Sequence, residues 1–163
     1  MTAPKGYSAR QIRLHWIVTV LIVLQFLLHD PMSEAWDLIE DGQTPGFHWL
    51  VLSHVIGGVL VLIFALWRLV LRTTRGVPPA PKTELPILAR AAHFGHLALY
   101  ALMIAMPLSG MAAWFGGLEP AAEVHEVLRI VLLALIAGHV LAALWHHFWL
   151  KDGLLLRMKR PLD

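Results

Sequence analysis

His125 and His139 close the two ends of the run HEVLRIVLLALIAGH, fourteen residues apart, and His54 and Arg68 repeat the interval in a second apolar run. At about 100° per residue, fourteen residues come within about 40° of whole turns, some 21 Å further along the axis. Each pair therefore shares one helix face. Arg129 stands one turn from His125 on that same face. Imidazoles ligate metals, exchange protons and pair with anions. Gly57 and Gly58 follow His54, and Gly138 precedes His139. Bare backbone at those points lets a bulky group come close.

The elements that must position these residues follow from the chain's solvent. Hydrophobic residues make up 58% and charged residues 15%, and the mean hydropathy is +0.65. Soluble domains carry about 25% charged residues, so the bilayer is the expected solvent. Four apolar runs are long enough to cross it as helices, residues 11–28, 48–71, 91–115 and 123–150, the third bent or broken near Pro107. The first is too long for a signal-peptide core and lacks a cleavage site, so it is read as a span. Short connections make neighbours antiparallel. The expectation is all-α: one transmembrane domain over 1–163, a four-helix bundle running up-down-up-down. The segment Asp30–Asp41 is read as an acidic loop between the first two spans.

Charge sets the orientation. Of thirteen basic residues, all but Arg129 fall on one side: Lys5, Arg10, Arg13, Arg68, Arg72, Arg75, Lys82, Arg90, Lys151, Arg157, Lys159 and Arg160. The other side carries Asp30, Glu34, Asp37, Glu40, Asp41, Glu119, Glu123 and Glu126. The positive-inside rule places both termini in the cytoplasm. The pI of 9.3 is thus a topology signal, and no nucleic-acid partner is expected.

Topology converts positions into depths. His54 and His125 fall in the outer half, His15 and His139 in the inner half. Two histidines facing across a bundle interior supply both axial nitrogens of one haem iron. Two such pairs imply two stacked haems, His54 with His125 toward one surface and His15 with His139 toward the other. Arg129 and Arg68 are the cations near the outer and inner sites, suited to haem propionates. The absence of cysteine excludes thiolate-held clusters and covalent haem attachment. The remaining histidines have plainer readings. His29 and His48 sit at helix ends beside the acidic loop. His93 and His96 share a face, as interfacial residues or as partners of a metal or a propionate.

These residues carry a resemblance. RLHW at 13–16, SHVIGG at 53–58, AAHFGH at 91–96, VHE at 124–126 and GHVLAALWHHFWLKDGLLLRM at 138–158 resemble the bacterial cytochrome b561 family. That family is related to the cytochrome b subunits of formate dehydrogenases and nickel–iron hydrogenases. The resemblance implies a di-haem fold with two haem b, in which the last span gives one ligand to each. It implies the same pairs, His15 with His139 and His54 with His125. One type within the family is the superoxide oxidase, which oxidises superoxide outside and reduces ubiquinone near the inner haem. Residues matching that quinone region are His146, His147 and Lys151.

The resulting expectation is a multi-pass cytochrome of the bacterial inner membrane. It passes electrons from a periplasmic-side donor, favoured as superoxide oxidised to O2, to ubiquinone, as a haem b oxidoreductase of superoxide:ubiquinone type. The acidic outer surface counts against an anionic donor and fits a basic redox protein instead. A membrane-anchoring cytochrome b subunit serving a partner dehydrogenase is the first alternative. A histidine-based metal-ion transporter is the second, although no acid lies mid-span where transporters place one. Oligomeric state is not encoded in these features.

Overall fold

The computed structural model describes residues 4–81 and 85–162, so Lys82, assigned above to the basic side, lies outside the described residues. Five helices follow one another: α1 Ala9–Leu27, α2 His29–Glu40, α3 Trp49–Thr74, α4 Pro86–Gly116 and α5 Glu119–Trp145. No strand occurs among the described residues. Helices α1, α3, α4 and α5 are each long and apolar enough to cross a membrane. Large apolar side chains on their outer faces, such as Val20, Trp67, Ile130 and Leu141, are exposed, as expected where lipid is the solvent. The chain is an all-α bundle of four spans.

Local chemistry sets the helix limits. Ser8 caps α1: its Oγ accepts from Gln11 N at 3.2 Å, and Gln11 Oε1 accepts from Ser8 N at 3.0 Å. The same Gln11 side chain donates to Gly76 O and accepts from Arg75 Nη1, which ties the start of α1 to the end of α3. Pro86 occupies the first turn of α4, where its missing N–H costs nothing. Gly117, in the left-handed region at φ 61°, ends that helix, and α5 starts two residues later.

One expectation is corrected and one is narrowed. The acidic segment after the first span is helical rather than a loop. Leu28 joins α1 to α2, Asp30 sits in the first turn of α2 where it complements the helix dipole, and Ala35 is buried. Of the bend or break expected near Pro107, the break does not occur, since α4 runs through the proline. Pro107 has no N–H to donate to the Met103 carbonyl one turn before it.

Packing is uneven. Val18, Val61, Ala65, Tyr100 and Met103 form the core where α1, α3 and α4 meet, and Ala65 is fully buried. Helix α5 packs along α4 but, among the described residues, has no comparable packing with α1 or α3. Leu132 is its one buried residue. The helix that carries two histidines thus stands off from the two helices that carry their counterparts.

Past Trp145 the helix widens to π geometry over His146–Leu150. Lys151 at φ 50° and Gly153 at φ 74° reverse the chain, and a 3-10 turn spans Leu154–Met158. This tail is pinned on both sides. Trp16 Nε1 donates to Met158 O at 2.9 Å, Arg157 Nη1 to Pro79 O at 2.7 Å, and Leu162 N to Tyr7 O at 3.1 Å.

Candidate functional site

Across the gap between α5 and its neighbours, imidazoles face one another at two levels. The rings of His15 (α1) and His139 (α5) have centres 6.4 Å apart at an interplanar angle of 64°. The rings of His54 (α3) and His125 (α5) have centres 6.5 Å apart at 65°. A metal ion held between two imidazole nitrogens by bonds of about 2 Å each sets the ring centres roughly 6 Å apart. Both pairs match that separation.

The surroundings fit a bound anionic group in further respects. Buried polar atoms ordinarily have partners, yet Arg68 Nε and Arg68 Nη1 are buried without a hydrogen-bond partner among the described residues. A cavity of about 350 Å³ is lined by His54, His125, Arg129, Gly110 and Trp36, among others. Arg68 lies within electrostatic reach of both His15 and His139, with its guanidinium carbon 5.8 Å from the Tyr100 ring centre. These donors suit a carboxylate-bearing group.

His125 is held by α4. Its Nδ1 lies 2.9 Å from Met106 O and 3.2 Å from Ser109 Oγ. The carbonyl can only accept, so Nδ1 carries the proton and donates, and Nε2 presents its lone pair. Gly110 makes room for the ring: a Cβ there would stand 3.0 Å from His125 Cε1. Sequence reasoning missed this support. Its signal was the small pair Ser109–Gly110 just after Pro107, at the depth of His125.

The other expected residues are placed as follows. Arg129 donates from Nη2 to Glu126 Oε1 at 3.1 Å, with a second bond from its Nε to Oε2, and it also lines the cavity. His29 Nε2 is 3.7 Å from Glu126 Oε1, so the cavity mouth holds a His29–Glu126–Arg129 chain. Asp37, Glu40 and Glu123 line the same cavity. Helix α2 therefore contributes wall as well as charge. At the other end, His96 on α4 lies 5.3 Å, ring centre to centre, from His139. That makes a third imidazole at the basic-end level, whereas His93 is exposed beside Phe94.

The quinone-region candidates separate. His147 and Lys151 are exposed. His146 is buried, and its Nδ1 lies 2.6 Å from Asp152 Oδ2. Asp152 Oδ1 in turn accepts from Leu154 N at 3.0 Å. Burial pushes the Asp152 carboxyl up. The hydrogen bonds from His146 and Leu154 N, with Arg157 nearby, outweigh burial and hold it below the ordinary carboxylate value of 3.8. The stabilisation is present above the ordinary value and is lost only as pH falls through the lower folded one. Asp152, an isolated acid six residues past a histidine in a basic tail, is a second residue that sequence reasoning missed.

Residues 6–161 match the model of a family described as prokaryotic cytochrome b561. Cytochrome b562 of Cereibacter sphaeroides is 37% identical over 163 residues, covering 99% of each chain. A Yersinia pestis protein named probable superoxide oxidase CybB is 32% identical, over 94% of this chain and 96% of its own. Cytochrome b561 homolog 1 of Escherichia coli K12 is 28% identical, over 93% and 96%.

Proposed function

The chain belongs to the prokaryotic cytochrome b561 family, a multi-pass membrane family of b-type redox proteins, and from that membership we propose a di-haem electron carrier of the bacterial inner membrane. The observation that carries the proposal is the pair of facing imidazole couples on one helix, with ring centres at 6.4 and 6.5 Å. His15 and His139 would hold the haem at the basic end, His54 and His125 the haem at the acidic end. Bound iron supplies one-electron transfer without change of ligands. The protein's part is to fix the ligands and offset charge. Met106 O and Ser109 orient His125, Arg68 offers its unpartnered N–H groups to a propionate at the basic end, and Arg129 stands at the other.

The basic face is assigned to the cytoplasm and the acidic face to the periplasm. Electrons enter at the acidic end and leave to ubiquinone near His146, His147 and Lys151. The favoured donor is superoxide: two superoxide anions and two protons convert one quinone to quinol and release two O2. The name of the Yersinia pestis relative supports that donor. A second reading, a membrane anchor relaying electrons to or from a partner redox protein, is favoured by Asp37, Glu40, Glu123 and Glu126 around the cavity, since an acidic rim repels an anion and attracts a basic protein.

Purified protein should show a low-spin b-type spectrum in both redox states, with two extractable haems per chain. A colourless preparation holding stoichiometric zinc would sink the reading and favour a histidine-based metal-ion transporter. Superoxide-driven quinone reduction by the chain alone separates the oxidase from the anchor, which would need its partner. The orienting shell has its own test. Gly110→Val should push the His125 ring off Met106 O and lower acidic-end haem occupancy several-fold, leaving the basic-end haem in place. Haem titration with reduced-minus-oxidised spectra reads both.

A further inference from the structure

A second cavity, of about 230 Å³, lies between α1 and α3 on the acidic side of the bundle. Its two walls repeat one interval. Positions 21, 24, 25 and 28 stand opposite positions 53, 56, 57 and 60, and three-and-four spacing sets each group on one helix face. Apart from Gln25, Ser53 and Gly57, every lining residue is leucine or isoleucine. Leu24 is 43% and Ile56 50% exposed, so the groove opens sideways onto the bilayer. Its volume lies below the roughly 300 Å³ at which drug-sized sites begin. It takes one ring and leaves any tail in the lipid.

Gln25 lines this groove and also the cavity between His54 and His125. Its backbone carbonyl adjoins the His54 ring, which fixes it at the level of the acidic-end histidines. Its side chain lies against the two glycines of α3. A Cβ on Gly57 would collide with Gln25 Nε2, and one on Gly58 would stand 3.8 Å from Oε1. Among the described residues the amide makes no hydrogen bond. An amide turned toward hydrocarbon without a partner costs free energy. An acyl chain fills the space and leaves that cost in place. The occupant that fits is apolar, flat and ring-sized, and brings an oxygen to the amide. Ser53 adds an acceptor: its hydroxyl proton is committed to Trp49 O at 2.8 Å, and its oxygen keeps lone pairs.

We propose that this groove binds the ring of a lipid-soluble quinone, with the Gln25 amide as its hydrogen-bond partner. Gln25 Nε2–H donates to a quinone carbonyl. Gln25 Oε1 or Ser53 Oγ accepts from the hydroxyl of the reduced form, so one site holds both redox forms. The groove stands at the opposite end of the bundle from the quinone region near His146, and the proposal does not depend on that region. A neutral ring that arrives through the bilayer also bypasses the acidic rim of Asp37, Glu40, Glu123 and Glu126. Because Gln25 borders both hollows, a ring in the groove is one side chain away from the cavity that His54 and His125 line.

The probe is a decyl-tailed azidobenzoquinone, photolysed with the haem-loaded chain in nanodiscs and located by peptide mass spectrometry. A phospholipid carrying a diazirine on its acyl chain is the control. The quinone should label residues 21–28 and 53–60, and unlabelled decyl-benzoquinone should compete for both. Gln25→Leu keeps the bulk and removes the amide. Half-saturation of the groove label should then need roughly three- to ten-fold more quinone probe, with acyl-chain labelling unchanged. Ile56→Trp, at a position half exposed to lipid, fills the groove without touching the core and should abolish the quinone label. If Gln25→Leu labels at the parent's concentration, or if the acyl probe competes with the quinone as well as decyl-benzoquinone does, the groove holds lipid chains and the inference falls. Label confined to residues 145–158 also overturns it and leaves the basic-end quinone reading standing. Label confined to the groove supports it and removes the basic-end reading, and label at both places supports both.

Discussion

On the proposed di-haem reading, His139→Ala should yield a protein with one b haem in place of two, and electron transfer between the faces should fall to background. His139 faces His15 across the gap left by α5, ring centres 6.4 Å apart, and among the described residues α5 has no packing on α1 comparable to its packing on α4. The substitution removes a ligand without opening a dense core, because His139 sits on a helix with only Leu132 buried. The bundle therefore survives, held by Val18, Val61, Ala65, Tyr100 and Met103 on other helices. His54→Ala should remove the other haem, since its partner His125 is 6.5 Å away at the opposite level. Each single variant then keeps the spectrum of the haem its partner lacks, and the two difference spectra sum to the parent's. His96 is the sharp control. It lies closer to His139 than His15 does, at 5.3 Å, so His96→Ala should keep both haems while shifting the basic-end spectrum. Loss of a haem in His96→Ala or His93→Ala, with retention in His15→Ala, would overturn the ligand assignment.

The depth argument worked because membrane spans convert sequence position into height. Charge asymmetry and the interval of fourteen residues suffice to place His54 level with His125, and His15 level with His139. What escaped lies in features with no period. The acidic stretch after α1 read as a loop because its composition is polar. Yet Asp30 in its first turn, Ala35 turned inward and the bond from Trp36 Nε1 to Glu40 Oε1 support helix α2. The orienting shell of His125 consists of a backbone carbonyl, Met106 O, and a missing side chain, Gly110, and neither is a residue type that advertises chemistry. His146 and His147 are adjacent in sequence and equally plausible until the π turn sends one inward and the other out. That outcome depends on tertiary pinning of the tail by Trp16 and Tyr7.

Arg68→Met should split stability from haem binding, with opposite signs. Among the described residues Arg68 Nε and Nη1 are buried without hydrogen-bond partners, and the Tyr100 ring 5.8 Å from the guanidinium carbon offers only a cation–π contact. A guanidinium so placed in a membrane helix is an uncompensated cost in the haem-free chain. Methionine keeps most of the apolar stem and discards the charge, so haem-free Arg68→Met should unfold at a temperature equal to or above the parent's. Haem binding reverses the balance. A charged hydrogen bond to a carboxylate contributes about 1.5–3 kcal/mol. Its removal should therefore weaken the basic-end haem roughly ten- to hundred-fold in titrations of the haem-free protein. The midpoint potential of that haem should fall as well, because a nearby cation favours the reduced, less positive iron. Arg68→Lys should lie between, since it keeps the charge but loses the planar fork that meets a carboxylate with two donors. The acidic-end haem, on the far side of the bundle, serves as the internal reference. If Arg68→Met binds both haems with parental affinity, the cation belongs to Tyr100 and the lipid boundary instead, and the basic-end haem draws its charge balance from elsewhere in the bundle.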